Sequence, residues 1–102
     1  MLKHIVFFKL KEEYTENQKQ ATAIALKNML LNLTQHISEI RYFEVGIDIN
    51  RTERAFDLSL ISDFENLDTL ASYQTHSEHV KVIKFVKEHC QQTAVVDYNY
   101  GK

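Results

Sequence analysis

The chain opens on a two-residue alternation. His4, Val6, Phe8 and Leu10 fall on one side and Lys3, Ile5, Phe7 and Lys9 on the other, the period of a β-strand. Both sides carry large apolar groups. Helices covering one face would leave Ile5 and Phe7 in water, so the pattern predicts a second covering surface, most simply another copy of the chain. The period then lengthens. Thr15 and Gln18 stand at capping-box spacing, and Ala23, Leu26, Met29, Leu30 and Leu33 recur at intervals of three and four, predicting one amphipathic helix to about Leu33. Ile24, Ala25 and Leu31 widen the stripe, as suits a helix lying across a sheet. Positions 34–39 form a polar connection in which His36 is an exposed loop residue.

Alternation returns from Ile40. Phe43, Val45, Ile47 and Ile49 oppose Tyr42, Glu44, Gly46 and Asp48, and Gly46 inside this strand marks a bulge or a close contact. Phe43, Val45 and Ile47 belong on one buried face, without an indication of which side of the sheet it is. Positions 50–54 read as a turn into a third strand, in which Phe56, Leu58 and Leu60 oppose Asp57, Ser59 and Ile61, ending near Phe64. Asn66 caps a short helix with Leu67, Leu70 and Ala71 inward and Tyr73 on its flank. After a break, His79, Val82, Ile83, Val86 and Cys90 recur at helical spacing, so His79 heads a buried stripe. Positions 93–100 alternate again as a fourth strand. The order is that of an α+β, ferredoxin-like split βαβ fold, with a four-stranded antiparallel sheet and helices on one face.

With 102 residues there is room for one domain, spanning 1–102, and one core. Lys and Arg number 12 against 14 Asp and Glu, with no long block of either sign, so no nucleic-acid partner is expected. Cys90 is the sole cysteine, excluding an intrachain disulfide and a thiolate zinc cluster, and a reducing cytoplasmic setting fits best. The N-terminal apolar run is short and broken by charge, and reads as a strand, not a signal peptide. No run approaches the length of a membrane span, so no membrane partner is expected. Cys90 is expected as a small core residue and His89 on an exposed flank.

Chemistry concentrates in Tyr73-Gln-Thr-His76-Ser-Glu-His79-Val80. Helical spacing turns His79 inward among Val82, Ile83 and Val86, where burial favours a neutral, proton-accepting imidazole. The bland alternative is a structural histidine bonded to a backbone carbonyl or to Tyr73. Tyr73 can bind or polarise a carbonyl or orient the imidazole, or be a core aromatic with its hydroxyl at the rim. His76, at a helix start, reads first as a cap. His4 shares a strand face with Val6 and Phe8. His76 and His79 lie three apart without a convergent carboxylate, so no metal site is expected.

Lys3-His4-Ile5-Val6-Phe7-Phe8-Lys9, Phe43-Glu44-Val45-Gly46, Phe56-Asp57-Leu58, Tyr73-x-x-His76-x-x-His79-Val80 and Val95-Val96-Asp97-Tyr98 together resemble the Dabb family of stress-responsive dimeric α/β-barrel domains over essentially the whole chain. The resemblance implies a homodimer whose two sheets close into a barrel, with a cavity in each subunit between sheet and helices. It departs from the family's pattern at 34–39, where Pro and Gly are common, and at Ser77, where Pro often follows the first histidine.

Similarity to a plant polyketide cyclase of the family implies roles for Tyr73 and His79 in an aldol condensation, with His4 in the cavity. A further histidine of that enzyme corresponds to Leu58 here. Catalytic residues Tyr73 and His79 are thus expected, in a cavity lined by His4, Val6, Phe8, Leu26, Leu60, His76, Val82 and Ile83, binding a small, largely apolar carbonyl compound without a cofactor. A non-catalytic stress-related dimer and a cofactor-free monooxygenase are the alternatives.

Overall fold

The computed structural model describes residues 1–101. Strand β1 spans Leu2–Leu10, helix α1 Glu16–Asn32 with a 3-10 turn over Leu33–Gln35, β2 Tyr42–Ile47, β3 Leu58–Phe64, α2 Leu67–Thr75, α3 Ser77–His89 and β4 Cys90–Asn99. The four strands form one antiparallel sheet in the order β2-β3-β1-β4, the ferredoxin-like arrangement expected from the element order. The two central strands, β1 and β3, hold most of the buried sheet residues.

The capping box at α1 is complete: the Gln18 amide donates to Thr15 Oγ1 at 3.1 Å and the Thr15 amide to Gln18 Oε1 at 2.8 Å. Ala23, Leu26 and Leu30 form the buried face of α1. Ile24, Ala25 and Leu31 point to solvent, so the buried stripe is narrower than expected. At about 100° per residue, these positions turn away from the sheet that covers only one side of the helix. In α2, Leu70 and Tyr73 are buried while Leu67 and Ala71 are exposed, contrary to expectation. A two-turn helix on a sheet reaches the core with a single i, i+3 pair.

Phe43, Val45 and Ile47 face the helices. Val45 pairs with the buried Leu60, and the Phe43 ring lies 6.1 Å from that of Tyr73. Gly46 makes a close approach without a bulge: pairing of β2 with β3 is unbroken, and a Cβ at Gly46 would meet Ser59 Oγ at 3.3 Å.

Strand boundaries shift from expectation: β2 spans Tyr42–Ile47 instead of starting at Ile40 and reaching Ile49, and two further shifts have clear causes. β3 starts at Leu58, and the preceding Asp57 is buried, although alternation placed it on a polar side. Its carboxylate accepts from the Leu10 amide at 2.7 Å and meets Arg51 at 3.0 Å, so hydrogen bonds and a counter-ion compensate its burial. β4 starts at Cys90, not near Thr93. The end of β1 draws it there: Leu10 pairs with Cys90 across an irregularity in the ladder, and the Lys11 amide donates to His89 O at 3.1 Å. Cys90 is half-buried beside the core, and His89 is tied at 2.8 Å to the Tyr14 hydroxyl instead of lying free on a flank.

The opposite sheet face has no helices. Ile5 there is flanked in register by Ile61 and Val96, with Phe7 and Tyr98 nearby, and Val96 is 60 % exposed in the single chain.

Candidate functional site

The break between α2 and α3 determines the site. His76 is extended, at φ −62° and ψ 138°, and ends α2 while capping α3. Its Nδ1 accepts from the Glu78 amide at 3.1 Å. This sharp corner sets the end of α2 against the start of α3, bringing the rings of Tyr73 and His79 to 4.3 Å between centroids.

Beneath them is a cavity of about 350 Å³. His4, Val6, Phe8 and Leu60 form its floor on the sheet, with Thr93 and Val95 on β4. Tyr73 and Gln74 come from α2, and His79, Val82, Ile83, Val86 and Lys87 from α3, while Leu30 closes the side from α1. Eight of the ten residues predicted for the site are therefore brought together. Leu26 and His76 are not among the lining residues. Leu26 is fully buried under α1, because its helical position points it into the central core, and His76 is spent as a cap.

Tyr73 is fully buried, and its hydroxyl has no hydrogen-bond partner among the described residues. Its ring packs 4.9 Å from that of Phe64. Burial pushes the phenol far above its ordinary pKa, so it remains a protonated donor at neutral pH. A buried donor without an acceptor is costly.

His79 is only half-buried, with Nδ1 3.0 Å from the Gln74 carbonyl oxygen. The carbonyl can only accept, so Nδ1 carries the proton and the neutral ring keeps its lone pair on Nε2. Desolvation lowers the proton affinity of His79; the bond to Gln74 opposes this, and nearby His4 and His76 add to the lowering. His4, nearly fully buried, donates from Nδ1 to Asp97 Oδ1 at 2.5 Å. Its ring centroid lies 6.3 Å from that of Tyr73.

Asp97 enters the sequence reading only within Val95-Val96-Asp97-Tyr98, without a site role. It stands in an alternating strand like any solvent-facing carboxylate, and its role follows from its register opposite His4. Gln74 and Lys87 were also missed. A signal for Lys87 existed, since it continues the 79, 83, 87 helical row.

A second hollow of about 350 Å³ lies by Arg51, but its charges satisfy one another: Arg51 meets Glu16 at 3.3 Å and Asp57 at 3.0 Å. Arg51 has φ 55°, a left-handed conformation held by these ion pairs and by the Asp48 carboxylate accepting its amide at 2.8 Å. These contacts strap the 48–57 loop down. Among the described residues, no three His, Cys, Asp or Glu side chains are grouped so as to hold a metal ion. No helix among them is long and apolar enough to cross a membrane.

The fold and sequence are similar to those of known proteins. A stress-response A/B barrel domain-containing protein from Arabidopsis thaliana is 33 % identical over 101 residues, covering 96 % of this chain; the chain spans only 36 % of that relative's length. A crystal structure of a dimeric protein of unknown function and ferredoxin-like fold from Bacteroides fragilis is 36 % identical, with a TM-score of 0.90, over 97 % of this chain and 95 % of that one. A hydroxynitrile lyase from Passiflora edulis shares the fold at 18 % identity, with a TM-score of 0.75, over 99 % of this chain and 94 % of that one. The profile of the stress responsive A/B barrel domain matches residues 2–100, and the chain belongs to this Dabb family.

Proposed function

We propose that the protein is a homodimer whose subunits each bind a small, largely apolar carbonyl compound in the cavity beneath Tyr73 and His79, and promote proton transfer on it without a cofactor. The observation that carries this reading is the cavity lined by Tyr73 and His79, beside which the buried Tyr73 hydroxyl lacks a partner among the described residues. A ligand carbonyl oxygen would accept its proton as a hydrogen bond. His79 Nε2 would remove a proton from the carbon next to that carbonyl, and the electron pair left behind would move onto the oxygen that Tyr73 holds. The Asp97 carboxylate fixes His4 with Nδ1 protonated, leaving its Nε2 as a second polar contact in the same space.

Dimerisation is supported by the uncovered apolar sheet face around Ile5 and Val96, and by the dimeric state of the Bacteroides fragilis relative. One observation favours the non-catalytic reading. Both histidines are hydrogen-bonded through Nδ1, as structural histidines would be. The cavity weighs against it, because a purely structural role leaves an unfilled space and an unpaired phenol without purpose.

The test is exchange of the α-protons of simple aryl ketones for deuterium, followed by proton NMR alongside calorimetric binding. Binding with exchange that is abolished in His79→Ala and reduced roughly tenfold or more in Tyr73→Phe is the expected result. Binding without exchange would replace the catalytic reading by the non-catalytic one. No binding of any such compound would end the pocket reading.

A further inference from the structure

We propose that the ligand of this cavity is a carboxylic acid, its apolar body against the sheet and its carboxylate held by Lys87 at the mouth. The inference rests on the pocket reading above and adds a charge requirement to it. On α3, His79, Ile83 and Lys87 follow one another at four-residue steps along the cavity wall. Lys87 stands eight residues beyond His79, about 12 Å along the helix axis. The polar end at Tyr73 and His79 and the cationic end at Lys87 are thus separated by the apolar stretch of Val82, Ile83 and Val86.

Charge on the lining is one-sided. No carboxylate lines the cavity, and Lys87 is its only lysine or arginine among the described residues. The other groups that could carry positive charge are already engaged: His4 is paired with Asp97, and desolvation holds His79 toward its neutral form. Lys87 forms no ion pair with any carboxylate among the described residues, so none of these neutralises it at the cavity mouth. An anion whose apolar body fills the cavity would carry its charge to the mouth, where Lys87 stands as the one cation of the lining. Lys87 also sits in the last turn of α3, where it complements the helix dipole, but that role does not require a place on the cavity wall.

Two probes of equal shape separate this charge requirement from the pocket reading: 4-phenylbutanoate and its neutral amide, titrated calorimetrically into the intact protein. Lys87 is exposed, so its variants should fold as the wild type. The acid is expected to bind at least tenfold more tightly than the amide. Lys87→Gln should abolish that preference by weakening the acid at least tenfold, and Lys87→Arg should keep it. If the amide binds as tightly as the acid, or if the preference survives in Lys87→Gln, the inference is overturned while the pocket reading stands. Failure of both probes to bind the wild type would overturn the inference, and the pocket reading with it only if the aryl ketones also fail to bind.

Discussion

The imidazole of His79 lies against the ring of Tyr73, centroids 4.3 Å apart and planes inclined at 49°. The two residues are six apart in sequence and belong to different helices, so this contact exists only because His76 turns the chain sharply between them. One partner is a phenol that burial keeps protonated, and the other an imidazole that burial keeps neutral. A protonated phenol and a neutral imidazole are thus packed together beside the cavity.

His79 should titrate below its ordinary value of 6.5, because desolvation is the largest influence on it. The sign follows from linkage. Between the folded and unfolded pKa values the unfolded chain binds more protons, so stability rises with pH through that window and falls as the solution is acidified below about 6.5. Imidazole proton NMR should give the depressed midpoint. Denaturation curves across about pH 5–7 should lose part of their slope in His79→Gln; an unchanged slope would show that other groups set the acid response.

Replacing Tyr73 by Phe should separate stability from function. The hydroxyl is buried without a partner, so its removal relieves a desolvation cost and should raise the stability of the ligand-free protein by about 1 kcal/mol. The same change should weaken carbonyl binding. Urea melts check the first effect, and a clear loss of stability would mean that the hydroxyl is satisfied in solution, removing the argument for a ligand there.

The two sheet faces should respond oppositely to charge. Val96→Glu lies on the uncovered face, and should give a folded monomer by light scattering after size exclusion. Val45→Asp lies under the helices and should unfold the chain, since a charge there has no counter-ion. A wild-type monomer at micromolar concentration would remove the dimer.

Leu26 and Leu60 distinguish core from cavity. Both are buried, but only Leu60 lines the pocket. Leu26→Ala should cost about 2–5 kcal/mol and leave ligand affinity intact, whereas Leu60→Ala should alter affinity as well as stability. Parallel melts and titrations check the difference.

The helices and strands were legible along the chain because their signals are local. Alternation in β1, the Thr15–Gln18 box and the helical row through His79, Val82, Ile83 and Val86 depend on neighbours only a few residues away. The element order then leaves few topologies, and the ferredoxin-like sheet is among them. Which groups meet is a matter of tertiary packing. Asp97 is an ordinary strand carboxylate until antiparallel pairing sets it across from His4, 93 positions earlier in the chain. Asp57 breaks the polar-outside rule only because Arg51 and the Leu10 amide converge on it. Leu26 and Leu60 carry the same kind of side chain in equally regular patterns and both are buried in the core, yet only Leu60 also borders the cavity. That difference depends on how closely α1 and α3 approach the sheet, a packing distance to which hydrophobic periodicity is blind.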